Sequence, residues 1–374
     1  MAFKFLHTAD WHIGKPFGNF EPEQQSILRR ARLGAIDRLA EAAQVSGVEH
    51  IVVCGDIFDG PGLADDVLLA TIARLAAYGR LTWHLLPGNH DSGHRDGIWP
   101  RFTKLGLPKN VKLLLTPVPI EIAPGAFLLP APVESRAVSN DLTSWMDQAL
   151  TPPAAIRIGV AHGSTKGFGS DGAASISISA QRRSSARLDY MALGDWHGVS
   201  EIAPGVWYSG TPEPDHFPDN EPGHALIVEL SAGGATPHVQ KIATASHVWK
   251  KRLYAITRAD DLIELETEIA NLGPAKSNVL LELVLTGTVA LEADADIRAR
   301  LDALAPGLFH LRRRLEGLKL DTGFNDLAAI SDPQLKSVAE RLIGLRDSDT
   351  EREIAEGALR RLLTLSRQAD GAAQ

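Results

Sequence analysis

The chain has 374 residues, 44% of them hydrophobic and 22% charged, with 38 basic residues against 46 acidic ones and a net charge of −8. That composition excludes a collagen-like, coiled-coil or largely disordered chain and supplies apolar material for two domains, or for one large domain with an appendage. It also excludes a basic coat over the whole surface, so a polyanion would have to be met by a local patch or by metal.

In chain order, residues 3–9 read as a strand and residues 21–45 as a helix with Ile27, Ile36 and Leu39 on its apolar side. Residues 50–54 form a buried strand, 64–78 a helix and 81–86 a strand. Residues 111–133 look like hairpin material broken by prolines. Strands follow at 156–161 and 188–193, with a Gly/Ser-rich loop at 163–174 between them. A proline-rich loop fills 207–223 before a strand at 225–230. Apolar strands alternating with helices predict an α/β core with both sheet faces covered. Beyond residue 245 the segments 253–257, 261–269, 279–285, 293–304 and 309–314 read as β-α-β-α-β, a small separate α+β domain. After Asp332-Pro333 come two amphipathic helices. The first carries Leu335, Val338, Leu342 and Leu345 on one face. The second opens on a capping box at Thr350 and Glu353 and carries Ile354, Ala358, Leu359, Leu362 and Leu363. These divisions give domains at 1–244, 245–325 and 326–374.

The single cysteine, Cys54, can form neither an internal disulfide nor a cysteine-based zinc site. The N-terminal residues lack the apolar stretch of a signal peptide, and no apolar run approaches the ~20 residues of a membrane span. The cytoplasm is the expected location.

Five short motifs each follow a predicted strand: Asp10-Trp-His12, Gly55-Asp56-Ile-Phe-Asp59, Gly88-Asn89-His90-Asp91, Ala161-His162-Gly163 and Gly194-Asp195-Trp-His197. Carboxyl ends of strands in an α/β sheet converge on one crevice, so five distant motifs can share one site. Asp10 and His12, like Asp195 and His197, are two apart, and extended backbone would aim both members of each pair at one point. Carboxylate, imidazole and amide oxygen suit hard or borderline divalent cations, and seven such groups are about right for two ions sharing a bridging carboxylate.

Together these motifs resemble the calcineurin-like metallophosphoesterases. The opening Phe-Leu-His-Thr-Ala-Asp-Trp-His-Ile-Gly and the turn Tyr208-Ser-Gly-Thr-Pro-Glu-Pro resemble the SbcD-like DNA repair nucleases, and within them a YhaO-like branch. The resemblance covers about residues 1–230. It implies a four-layer αββα sandwich followed by a small α+β capping domain and C-terminal helices. It implies two divalent ions, Mn2+ first and Mg2+ or Fe2+ as alternatives, one held by Asp10, His12, Asp56 and His197 and the other by Asp56, Asn89, His162 and Asp195. A metal-activated hydroxide would then attack phosphorus in line. His90 would stabilise the phosphoryl oxygens or protonate the leaving oxygen, and Asp91 would orient His90. The family's usual Gly-His-x-His is here Gly-Asp195-Trp-His197. The added carboxylate lowers the charge of the site and predicts a preference for manganese or magnesium over zinc.

The resemblance further implies DNA as substrate, an SbcC-like (YhaN-like) SMC-type ATPase gripping the C-terminal helices, and pairing of two copies through the phosphoesterase domain. Phosphate contacts are expected from Lys250, Lys251 and Arg252 at the domain boundary, with His94 as a further substrate contact. Clusters at Arg29, Arg30 and Arg32 and at 312–314 read as solvated faces. Trp11 and Trp196 suit stacking on a base or packing beneath the site. Two other readings stand beside the nuclease. One is a phosphoesterase acting on a small nucleotide or phosphoprotein, and the other is a non-catalytic metal-binding scaffold for an ATPase.

Overall fold

A computed structural model describes residues 2–135, 141–165, 176–217, 220–231, 236–321, 330, 332–345, 351, 354–362 and 365. Most of the expected loop at 163–174, the capping box at Thr350 and Glu353, and Leu363 lie outside the described residues. The chain divides into two compact units, Met1–Val248 and Trp249–Gln374.

The first unit is built on two six-stranded sheets. In one, β1 (Ala2–Thr8), β2 (His50–Cys54), β3 (Thr82–Leu86) and β4 (Val111–Leu113) run parallel. On its other flank β1 meets β11 (His224–Ser231) antiparallel, with Phe5 opposite Val228, and β11 meets β12 (His238–Ala243). The second sheet has β5 (Ile120–Ala123), β6 (Ala126–Ala131), β7 (Ile156–His162), β8 (Tyr190–Gly194), β10 (Val206–Tyr208) and β9 (Ser200–Ala203) in that order. Its four central strands, from β6 to β10, are parallel.

Strands such as β2 and β7 are apolar almost throughout because both faces of each sheet are covered. Between the sheets Phe3, Phe5, Val52 and Leu86 meet Leu128, Ile158, Val160 and Tyr190. On the outer face of the first sheet Ile51, Val53, Trp83 and Leu85 pack with Ile36 and Leu39 of α1 (Pro22–Val45), Leu68 and Leu75 of α2 (Asp65–Ala77), and Trp99 and Phe102 of α3 (Ile98–Lys104). The outer face of the second sheet is covered thinly. Met146, Ala186 and Leu188 sit there on Leu129, Ala161 and Leu193, with only the four-residue α4 (Arg182–Ser185) and one 3-10 turn as helical cover. The expected hairpin at 111–133 is split: β4 completes the first sheet, while β5 and β6 pair antiparallel in the second.

In the second unit β13 (Val248–Ala255), β14 (Val279–Ala290) and β15 (His310–Asp321) form a sheet in sequence order. β14 and β15 are parallel, Leu280 opposite His310. Leu265 and Ile269 of α5 (Ile263–Asn271) and Ile297 and Leu301 of α6 (Leu291–Leu304) bury Leu281, Leu283 and Leu285. Both long strands outrun their expected ends because their later halves alternate between buried and exposed positions. In α7 (Pro333–Leu345), Ala339, Leu342 and Ile343 pack with Leu320, Ile330 and Leu359. Leu335, Val338 and Leu345 stay exposed. Among the described residues no helix is long and apolar enough to cross a membrane.

Candidate metal centre

The turn after β1 zips onto the turn after β2. Asp10 N–H donates to Gly55 O at 3.1 Å, His12 N–H to Asp56 O at 2.9 Å and Ile13 N–H to Ile57 O at 2.9 Å. This ladder sets Asp10, His12 and Asp56 side by side. Asp10 and His12 converge by a route other than extended backbone: both are left-handed, with φ of 56° and 43°. Asp56 (φ 53°) and Asp195 (φ 104°) share that conformation, so four of the seven non-glycine residues at positive φ among the described residues are expected metal donors. Such backbone costs free energy outside glycine and concentrates at functional sites.

The second sheet brings His162, Asp195 and His197, and the turn after β3 brings Asn89. His162 ends β7 and Gly194 ends β8, side by side in register. His162 Nδ1 lies 2.9 Å from Cys54 O, at the end of β2, which ties the two sheets together at their carboxyl ends. His162 Nε2 is then 2.7 Å from Asn89 Oδ1, 3.5 Å from Asp56 Oδ2 and 3.8 Å from Asp195 Oδ1. On the other side of Asp56, the same Oδ2 is 3.6 Å from His12 Nε2. His12 Nε2 in turn lies 3.2 Å from His197 Nε2, and ligand atoms of Asp10, His12 and His197 lie within 4.8 Å of one another.

The imidazoles share one design. Nδ1 of His12 faces Asp59 Oδ1 at 3.1 Å, Nδ1 of His197 faces Asp215 Oδ1 at 3.3 Å, and Nδ1 of His162 faces Cys54 O. With Nδ1–H donated to these acceptors, each ring presents the lone pair of Nε2 inward, the tautomer a metal needs. Asp195 is likewise oriented, since Ser164 Oγ donates to its Oδ2 at 2.7 Å. Three carboxylates, one amide oxygen and three imidazole nitrogens therefore converge, a donor set that fits two divalent ions.

The electrostatics agree with that fit. Burial pushes the Asp10 carboxyl up to about 6, against the pull of His197 and His162. Burial alone would lower His162, yet the carboxylates of Asp56, Asp10 and Asp195 outweigh it and raise the ring to about 9. Burial would also raise Asp215, but His197 and Arg32 hold it well below the usual carboxylate range. The cluster is thus short of positive charge, and a cation would supply it.

His90 is on the rim, its side chain 41% exposed, with Nδ1 3.1 Å from Asp59 O and Nε2 4.0 Å from Asp56 Oδ2. Asp91 is the residue expected to orient His90. Asp91 is buried and its two oxygens accept from Gly88 N–H at 2.7 Å and Phe58 N–H at 3.1 Å, so it shapes the turn beneath the site. His90 Nδ1 faces the Asp59 carbonyl instead. Burial, with Asp56 nearby, pushes Asp91 up to about 7. His94 is exposed and its Nδ1 accepts from Asp96 N–H within its own turn.

Lys250 and Arg252 both pair with Glu268, at 2.9 and 2.8 Å, which offsets one of the boundary cluster's three positive charges. Their neighbour Lys251 also lies on β13. Arg312 and Arg314 share Glu282, and Arg313 meets Asp302. Trp11 is buried edge-on against Trp83 with its Nε1–H on Thr8 Oγ1, so it packs beneath the site, and Trp196 joins the outer core of the second sheet.

Sequence reasoning missed two residues behind the centre. Asp215 sits in the proline-rich loop and takes His197 Nδ1, Lys15 Nζ at 2.7 Å and His216 Nδ1 at 2.6 Å. Its place two residues beyond Glu213 in the Thr-Pro-Glu-Pro turn was the available signal. Arg32, read as part of a solvated cluster, is buried. It donates to Trp11 O at 2.7 Å, Glu213 O at 2.8 Å, Asp10 O at 3.1 Å and Thr211 Oγ1 at 3.3 Å.

At Gly194 a Cβ would stand 1.9 Å from Cys54 O and 2.9 Å from His162 Nδ1. Gly194→Ala is therefore expected to push β8 from β2 and break the bond that orients His162. The expected cost is about 1–3 kcal/mol of stability and a ~10–100-fold loss of metal affinity, read by thermal melting and metal titration. An alanine variant with unchanged metal affinity would refute this account of the close approach.

Residues 3–171 match the family described as calcineurin-like phosphoesterase. The chain is 38% identical over 96 residues to the SbcD component of the SbcCD nuclease of Rhodobacter capsulatus, which covers 25% of this chain and 22% of that protein. It is 32% identical over 95 residues to the corresponding SbcCD component of Bacillus subtilis (25% and 23%) and 38% identical over 96 residues to that of Escherichia coli K12 (24% and 21%). Each match thus spans less than a quarter of the curated relative. Among solved structures, a Thermus thermophilus protein superposes with TM-score 0.40 at 11% identity, over 65% of this chain and 100% of that one. A dimetal phosphatase from Danio rerio superposes with TM-score 0.39 at 14% identity, over 65% and 99%.

Proposed function

From the premise that this chain carries a calcineurin-like metallophosphoesterase domain, we propose that it is a manganese-dependent DNA nuclease of DNA repair that works with an SbcC-type ATPase. The observation that carries the reading is the convergence of donors from five loops on Asp56, whose Oδ2 stands between His12 Nε2 and His162 Nε2 at 3.6 and 3.5 Å. Asp10, His12, Asp56 and His197 would hold one ion, and Asp56, Asn89, His162 and Asp195 the other. When bound, such a pair supplies positive charge to the phosphoryl oxygens and an acidified water.

The chain's own groups do the rest. Asp59, Cys54 and Asp215 fix three imidazole tautomers. Asp195, held by Ser164, adds a third carboxylate and so favours hard ions, manganese or magnesium, over zinc. His90, exposed on the rim, is the group placed to touch a phosphoryl or leaving oxygen. His90→Ala is expected to slow hydrolysis by ~10²–10³-fold while Mn2+ content, read by elemental analysis, stays at the wild-type level. Loss of metal together with activity would remove His90 from that role.

The similarity to the SbcD component of the SbcCD nuclease supports DNA as substrate, and the exposed Leu335, Val338 and Leu345 on α7 support an apolar contact with the ATPase. One observation favours a small phosphoester instead, the pairing of Lys250 and Arg252 with Glu268 on their own unit. Digestion of labelled duplex and single-stranded DNA beside a nucleotide and a phosphopeptide, with Mn2+, separates the two. Cleavage of the nucleotide or the phosphopeptide with no cleavage of DNA would overturn the nuclease reading.

A further inference from the structure

Glu213 and Asp215 flank Pro214 in the loop after β10, and their buried carboxylates serve opposite ends of it. Asp215 holds Nδ1 of His197. Glu213 faces the segment just before Val248, where the first unit ends. Its Oε2 accepts from Ser246 N–H at 2.8 Å and Ser246 Oγ at 3.0 Å, and its Oε1 from His247 N–H at 3.0 Å. The Arg38 guanidinium meets the same carboxylate and also donates to Thr244 O. Thr244 Oγ1 donates to Pro212 O at 2.8 Å, so the segment is gripped at three successive points.

The loop that carries the two carboxylates is held along residues 210–215. Gly210 (φ 71°) passes so close over His197 that a Cβ would sit 2.8 Å from its carbonyl oxygen, and Thr211 N–H donates to that same oxygen at 3.1 Å. Thr211 Oγ1 donates to Asp10 O at 2.7 Å and Arg32 to Glu213 O at 2.8 Å. Pro214 fixes one of the few remaining backbone angles. A shift at residues 244–247 therefore has little slack to dissipate in before it reaches His197.

We propose that Glu213 is a positioning residue, which links the orientation of His197 to the segment leading into the second unit. The inference rests on His197 being a metal ligand. A Glu213 that served stability alone would change the melting temperature and leave metal affinity intact in the folded protein.

The test is Mn2+ binding by the full chain, followed by electron paramagnetic resonance well below the melting temperature. Glu213→Gln keeps the size of the side chain but replaces one acceptor oxygen with a donor, and Ser246→Ala removes a single partner. Glu213→Gln is expected to weaken Mn2+ about tenfold, Ser246→Ala about threefold, and Glu49→Gln, on the exposed surface, not at all. A folded Glu213→Gln protein with wild-type Mn2+ affinity overturns the inference. If that variant does not fold, wild-type affinity in Ser246→Ala overturns it equally. A wild-type chain that binds no Mn2+ would overturn the reading of the centre itself, a result distinguishable from either.

Discussion

Asp56→Asn should abolish phosphoester hydrolysis, by on the order of 10⁴-fold or about 5.4 kcal/mol of transition-state stabilisation, in a chain that still folds. The substitution is nearly isosteric. Its Oδ1 can still accept the His90 N–H that the carboxylate accepts at 2.9 Å, so the turn after β2 is retained. What is lost is the negative charge on the atom that stands between His12 Nε2 and His162 Nε2. Asp10 also lies near both groups, but it meets His162 at Nδ1, 3.8 Å away, the nitrogen that faces Cys54 O, whereas Asp56 Oδ2 faces Nε2 of both rings. The checking measurement is the initial rate on bis(p-nitrophenyl) phosphate with Mn2+, together with the metal content of the purified protein. Retention of a substantial part of the wild-type rate would show that Asp56 does not bridge.

Arg32→Ala should be the most destabilising single change in the first unit, costing about 3–5 kcal/mol. Arg32 is 1% exposed, and its guanidinium satisfies three carbonyl oxygens and a hydroxyl from two segments far apart in sequence. It also faces Asp215 at 3.9 Å. Alanine would leave the carbonyls of Asp10, Trp11 and Glu213 buried without that donor, and water cannot enter without opening the loop. Buried acceptors stripped of their partner cost more than the bond was worth. Lysine should not rescue the fold, since a single ammonium cannot span a fork that reaches four acceptors. Thermal melting and urea unfolding report the loss directly. A fully soluble alanine variant with wild-type stability would show that the loop stands without Arg32.

The convergence of these carboxylates and imidazoles was legible because each follows an apolar run that reads as a covered strand, and because parallel strands deliver their ends to one place. Their local geometry was not. Positive φ at Asp10, His12, Asp56 and Asp195 carries no signature in residue type beyond the tolerance of aspartate for that region. Asp91 looked like a partner for the adjacent histidine, yet sequence adjacency says nothing about which backbone N–H groups a buried carboxylate will find. Arg32 was hidden for a similar reason. It lies on a long helix among exposed arginines, and only the path of a loop far along the chain buries it. The strand β12 escaped because its side chains are exposed or half-buried and show no apolar run. The helix α3 escaped because it is only seven residues long, and its Pro100 lies in the first turn, where its missing N–H costs nothing.

The left-handed donors have a consequence for anyone who evolves this chain in the laboratory. At positions 10, 12, 56 and 195 the backbone alone would favour glycine, by about 1 kcal/mol or more apiece. A screen that rewards heat tolerance without demanding turnover should therefore drift toward glycine at the very places proposed to offer carboxylate and imidazole to metal. Hardier survivors of such a screen would be inert, and their sequences would map the reactive centre by what they had discarded.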